Sequence, residues 1–253
     1  MTSSALVLED HLAVHRPLIL SRSVAATVMG LVPIPLLDDW LIAAVMRRTI
    51  QKLAEARHVD LSTAALHALA DGRVGIPSWK TVLGAALLPR LLVRAWRSAL
   101  WVFTIWSRTA AAGRTFAILT LCDHYLARVH VGGELDEEQA HKVRDAIDRA
   151  AATKEGSAIQ HLVRRAVVGA GRALVLAPFE IIDAMLGGLI TKRRQAADET
   201  EAEEIVEETL TDRERQPGSF IGRVSAAIDR QLSTFGRDYV LRLVAIFERE
   251  LKA

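Results

Sequence analysis

Three observations predict an all-α chain, a multi-helix bundle built from apolar helical hairpins and kinked amphipathic helices. Apolar residues recur at three- and four-residue spacing through most of the 253 positions. Hydrophobic residues make up 51% of the chain and aromatic residues only 5%, with Ala, Leu, Val and Ile dominating, a composition that favours helices over strands. Pro and Gly fall between the periodic segments, where helices end.

A first short helix is expected over Ala5 to His15, and after Pro17 a second apolar segment climbs to Gly30. Pro33 and Pro35 disfavour helix at the residues before them. Asp38 or Asp39 is placed to cap the helix that runs on through Trp40 to Ala56, giving a tight apolar hairpin. Asp60 or Ser62 caps another short helix, which DGRVGIP ends. A long segment then runs from Trp79 to about Ala112, kinked at Pro89, with Thr115 to Val129 as its antiparallel partner.

Beyond the VGGE loop, LDEEQAHKVRDAIDRA has an acidic first turn and basic later turns, as the dipole of a solvent-facing amphipathic helix favours. A helix from Ser157 runs toward Pro178, and FEIIDAMLGGLITKRR continues as an apolar segment with a basic end. Residues Asp198 to Glu214 hold nine acids, with Ile205, Val206 and Leu210 at helical spacing, and read as a solvated surface helix. The break at Gln216 to Ser219 lets Ser219 cap a last amphipathic helix through Leu251. A faint internal echo relates LVPIPLLDDWLIAAVMRR to LVLAPFEIIDAMLGGLITKRR, aligning Asp38 with Asp183 and Arg47 and Arg48 with Lys192 and Arg193.

Residues 1–133 form an apolar, basic hairpin region with 14 basic and 8 acidic residues; residues 134–253 form an amphipathic region with 18 and 22, including the acidic segment 198–214. The two regions are expected to integrate into one domain. A basic front half suits anionic lipid or an acidic partner, whereas a net charge of +2 is too mild for a dedicated nucleic-acid binder. The single cysteine, Cys122, forms no intramolecular disulfide and suits a reducing compartment. Glu9 and Asp10 interrupt the pattern of an export signal.

The most apolar windows carry central charges: Asp38 and Asp39 in the hairpin, Arg90, Arg94 and Arg97 in the long helix, and Arg172, Glu180 and Asp183 around Pro178. Each charge costs about 2.5–3.5 kcal/mol at a bilayer centre, which disfavours simple spanning helices. Arg90, Arg94 and Arg97 nevertheless make one stripe at i, i+4 and i+7, with Trp96, Trp101 and Trp106 interleaved. Guanidinium groups at phosphates and indoles at the boundary are the chemistry of an interfacial helix. A buried bundle helix with one basic edge is the plainer alternative.

Residues Gly30 to Ser62, GLVPIPLLDDWLIAAVMRRTIQKLAEARHVDLS, resemble the proline-bracketed hairpin of the bacterial EcsC-like and YcjF-like helical families. Ile50, Leu53, Ala54, Val59, Asp60 and Ser62 fit the recurring segment, and Arg57 and His58 depart from its Tyr-Gly. The resemblance covers about an eighth of the chain. It implies a helical protein associated with the bacterial inner membrane on its cytoplasmic side, without a defined catalytic motif, in which Asp38 or Asp39 caps the turn.

Motifs for nucleotide, hydrolase and zinc chemistry are missing. No GxxxxGK[ST], GxSxG or HExxH is present, and GAGRAL at Gly169 to Leu174 fails the dinucleotide fingerprint at its last position. His11 and His15 share a helix face but have no partner ligands at recognisable spacing, so they read as surface histidines. Cys122, Asp123 and His124 diverge by about 100 degrees from one to the next on a helix and form no Cys-His pair, leaving a partly buried thiol. Glu180 and Asp183 read as arginine partners rather than proton carriers. The expected protein is therefore non-enzymatic, without cofactor or metal, and a scaffold or regulator at the membrane surface. A carrier enclosing a lipid between apolar helices is the alternative, and an enzyme with a dispersed His/Asp/Glu site the third.

Overall fold

A computed structural model describes residues 11–30, 36–73, 75–76, 78, 81, 101–130, 133–169, 198–216 and 218–253, with side chains for all of these except 101–111, 164, 166–169 and 235. Helices dominate, as predicted. A helical turn at residues 11–14 leads into α1 (Arg16–Met29), whose first turn accommodates Pro17 because the first N–H groups of a helix have no internal partner. Ile19, Leu20, Val24, Ala25, Val28 and Met29 are buried along it.

The helix α2 (Leu37–Ala56) begins earlier than its acids. Leu36, at φ 71, is its N-cap, and no side chain caps it. The expected cap at Asp38 or Asp39 is thus corrected: both carboxylates sit inside the first turn, where they complement the positive end of the helix dipole. Asp38 is buried and Asp39 exposed. At the end of α2, His58 adopts φ 57, the left-handed conformation that glycine tolerates best. Strand β1 (Asp60–Leu61) follows and pairs in parallel with β2 (Glu134–Leu135), joining Asp60 to Glu134 and Leu61 to Leu135.

Ser62 caps α3 (Thr63–Asp71) by accepting from the Ala65 amide at 3.1 Å. At the other end the Arg144 Nη1 donates to the carbonyls of Leu69 and Ala70, both at 2.6 Å, satisfying groups that a helix end leaves open. The helix α4 (Trp101–His124) runs on into a π-helical turn, Tyr125–Val129. The predicted break between Ala112 and Thr115 does not occur. Gly113 is a crossing point instead: a Cβ there would stand 2.4 Å from the Gln160 Cα on α6 (Lys154–Gly169).

Asp136, Asp198 and Ser219 cap α5 (Glu137–Ala151), α7 (Glu199–Arg215) and α8 (Phe220–Gln231), each accepting from the amide three residues on. The predicted final helix is divided: a π-helical segment, Leu232–Gly236, separates α8 from α9 (Arg237–Lys252). Helix α4 packs on α1 and α6, α5 on α3 and α9, and α2 on α1, α3 and α7. One hydrophobic cluster, including Trp40, Leu53, Leu119, Ile147, Val206 and Phe247, draws on both the basic and the acidic region of the chain. Side chains of this size contribute about 1.5–3 kcal/mol each when fully buried.

The acidic segment corrects the sequence reading most. It is a helix, but not merely a solvated one. Ala202, Ile205, Val206 and Leu210 are buried, and several carboxylates turn inward onto two arginines that are only 1–2% exposed. Arg47 donates Nε to both Asp71 oxygens at 3.1 Å and Nη1 to Glu199 and Glu203 at 2.8 and 2.6 Å. Arg22 Nη2 donates to Glu207 at 2.7 Å, its Nε lies 3.3 Å from Glu214, and Lys52 also pairs with Glu207. A buried guanidinium is tolerable only with such partners.

Candidate functional site

The start of α1 is held by histidines. His11 and His15, four residues apart, lie on one face and reach two adjacent residues at the end of α4. His15 Nδ1 meets Asp123 Oδ1 at 2.9 Å, and His11 Nε2 meets His124 Nδ1 at 3.1 Å. Asp123 and His124 are fully buried, and consecutive helical positions point them in different directions, so each takes its own histidine.

Two further elements complete the cluster. Arg57, the C-cap of α2, donates Nε and Nη2 to the two Asp123 oxygens at 3.0 and 3.1 Å, and Nη2 also to the His11 carbonyl at 2.9 Å. On α9, Glu248 Oε1 lies 2.9 Å from His124 Nε2. An ionised carboxylate only accepts, so His124 carries its proton on Nε2; its Nδ1 then accepts from His11 Nε2–H. Burial, only partly offset by the Glu248 hydrogen bond and charge, lowers the His124 pKa below the usual histidine value. The neutral imidazole is therefore the favoured form.

The residues between and just after the histidines do something else. Leu12, Ala13 and Arg16 line a groove of about 360 Å³, together with Ile19, Phe116, Thr120 and the segment from Leu232 to Leu241. That volume lies at the lower end of the range for small-molecule sites. Its walls are apolar apart from Thr120, Ser233, Arg16 and Arg237. Thr120 is 5% exposed, and its hydroxyl has no hydrogen-bond partner among the described residues. Arg16 is anchored by Asp229 at 2.8 Å and Ser233 at 3.2 Å. The only large apolar residues exposed among the described ones, Val14 and Tyr239, fall on the two segments that wall this groove.

A second groove, of about 440 Å³, lies between Leu18, Ser21, Glu214, Ile221 and Asp229. Cys122 is buried, more fully than the partly buried thiol expected, and burial pushes its thiol up to about 12, so it is an inert core residue. Among the described residues no three His, Cys, Asp or Glu side chains converge as a metal site.

The sequence-predicted interfacial residues Arg90, Arg94, Arg97 and Trp96 lie outside the described residues, as do Pro33, Pro35, Glu180 and Asp183. Trp101 and Trp106 belong to the backbone of α4, but their side chains lie outside the description. The reading of His11 and His15 as ordinary surface histidines is corrected, because both are bonded to buried groups 108 to 113 residues away. Their i, i+4 spacing was the one visible signal. Nothing in the local sequence marks Asp123 and His124 as their acceptors.

No helix among the described residues is long and apolar enough to cross a membrane. Comparison with known protein families, curated proteins and solved structures finds no match for this chain.

Proposed function

We propose that this chain is a non-enzymatic, membrane-associated helical protein whose groove takes the apolar part of an amphipathic, anionic molecule such as a fatty acid or lysolipid. The buried, unpartnered Thr120 hydroxyl in a mostly apolar wall carries the reading. A buried polar group without a partner costs about 1–3 kcal/mol, which a ligand oxygen placed there would recover. Arg16 and Arg237 supply positive charge for the head. Val14 and Tyr239, exposed on the segments that contribute the groove's lining, offer apolar surface to a membrane.

The test is mass spectrometry of lipid extracted from purified protein, with titration of cis-parinaric acid followed by fluorescence. Wild type should bind the probe, and Phe116→Trp, which enlarges a side chain lining the groove, should weaken binding about tenfold or more, with its own packing cost of about 1–3 kcal/mol read separately from the urea midpoint. Absence of both co-purified lipid and probe binding would sink the reading.

A second reading concerns the membrane itself. The Arg90, Arg94 and Arg97 stripe with Trp96, Trp101 and Trp106 favours headgroup contact, in keeping with the EcsC-like and YcjF-like resemblance of Gly30 to Ser62 and a place at the cytoplasmic face of the inner membrane. Flotation with anionic vesicles, lost on changing all three arginines to Glu, supports it; a wild-type chain that stays behind overturns it for bare lipid.

A further inference from the structure

We propose that the two grooves are the halves of one site for a lysolipid with a zwitterionic head, its anionic group on Arg16 and its ammonium on Asp229. This rests on the first groove being a lipid site and names the head it takes. Arg16 lines the first groove and Asp229 the second, and the two side chains meet at 2.8 Å. The grooves therefore adjoin at this ion pair. Successive residues of α1 serve both: Arg16 and Ile19 line the first, Leu18 and Ser21 the second. Opposite them, α8 gives Ser225 to the second groove and its π-helical continuation gives Ser233 to the first.

The two halves lack opposite things. In the first groove, Arg16 Nε and the Thr120 hydroxyl are buried atoms without a hydrogen-bond partner among the described residues. Arg16 Nε is within ion-pair distance of Asp229, but the contact does not have the geometry of a hydrogen bond. Both groups can donate to an anionic oxygen. In the second groove, the unmet atoms are Glu214 Oε1 and the Ser225 hydroxyl. Both can accept from an ammonium. Burial disfavours the charged form of Glu214, while Arg22 at 3.3 Å and Ser21 favour it. Its charge is already matched, so Asp229, whose one ionic partner among the described residues is Arg16, is the anchor for a cation.

The ion pair between the halves can exchange partners. The Arg16 and Asp229 side chains are 30% and 49% exposed, and exposed pairs of this kind add little to stability. A zwitterion inserted between them replaces one internal pair by two intermolecular ones, so no charge is left alone. Arg16 keeps its place meanwhile. Its Nη2 donates to the Asp229 carbonyl at 3.4 Å and to the Ser233 hydroxyl at 3.2 Å, and neither bond involves the Asp229 carboxylate. A plain anion, by contrast, competes with Asp229 for Arg16 and leaves that carboxylate without its counter-ion. The acyl chain lies along Ile19, Phe116 and Leu232 in the first groove.

The experiment sets two lysolipids with the same lauroyl chain, lysophosphatidylethanolamine and lysophosphatidylglycerol, to compete with cis-parinaric acid on the full chain, each below its micelle-forming concentration. Both carry the phosphodiester; only the first carries an ammonium. Wild type should favour the ethanolamine lipid about tenfold. Asp229→Asn should weaken that lipid about tenfold and leave the glycerol lipid unchanged or tighter, so that the preference disappears. Arg16→Gln should weaken both about tenfold. Urea midpoints show that each variant is folded.

Equal affinity for the two lipids in wild type, a result that needs no variant to fold, overturns the zwitterionic site and leaves the first groove its lipid reading. A preference that survives Asp229→Asn overturns the placement of the ammonium. An equal loss of both lipids in that variant marks a merely structural role for Asp229 and overturns it too. Unchanged affinities in Arg16→Gln overturn the placement of the phosphate. Where cis-parinaric acid binds and neither lysolipid displaces it, the head assignment falls alone; where the probe does not bind either, the lipid reading of the groove falls with it.

Discussion

Two clusters of buried charge hold this bundle together, and they differ in what they can respond to. The arginine cluster sets Arg22 and Arg47 against the inward face of α7, with Asp71 contributing from α3. The histidine cluster ties the start of α1 to α4 and α9 through His11, His15, Asp123, His124 and Glu248. A guanidinium stays charged at any physiological pH, so the first cluster is a fixed fastening. Burial disfavours the charged form of His124, so the second depends on pH. Leu12 and Ala13, which lie between two of its histidines, line the groove.

The comparison breaks most visibly at Arg47. Arg47→Ala removes the cation that three carboxylates share and should cost about 3–5 kcal/mol in urea unfolding, with little variation between about pH 6 and pH 8. Retention of wild-type stability would mean that the inward acids are held by solvent rather than by the guanidinium. Asp123→Asn comes next. It keeps the shape but weakens the bonds to Arg57 and His15, for an expected loss of about 1.5–3 kcal/mol, together with faster amide exchange in residues 11–20.

The smallest effect, and the most discriminating, is the sign of the pH dependence. Burial lowers the His124 pKa, so its contribution to stability is present above the ordinary value of 6.5 and is lost as pH falls through the lowered one. Burial raises Glu203 and Glu214 despite their arginine partners, so their contribution is present below the ordinary 4.5 and is lost as pH rises through the raised values. Denaturant midpoints measured across this range should show the two slopes with opposite signs. H124Q should flatten only the first and Glu203→Gln only part of the second; a variant that flattens the other slope would show that the clusters are coupled.

Much of the helical architecture was legible because capping and periodicity are local. Ser62, Asp136, Asp198 and Ser219 sit where side-chain oxygens can meet free amides, and each caps a helix. Gly113 misled, since a glycine that ends a helix and one that lets two helices touch have the same sequence appearance; only the Gln160 backbone opposite it distinguishes them. The run of acids misled for a related reason. Charge density favours a solvated face until the fold supplies buried cations, and Arg22 and Arg47 lie more than 150 residues upstream of their acidic partners on α7. The site was the least legible part, because its histidines and their acceptors are brought together by tertiary packing alone.

The long separation between the buried arginines and α7 also has a consequence for synthesis. A chain emerging from the ribosome exposes Arg22 and Arg47 long before residues 199–214 exist, and domains begin folding as they emerge. Until the acidic helix arrives, closing the core around α1 and α2 would bury two cations without all their counter-charges. Until then Arg22 lacks Glu207 and Glu214, and Arg47 has Asp71 but neither Glu199 nor Glu203. A message truncated before residue 198 would yield a chain that cannot finish its own interior.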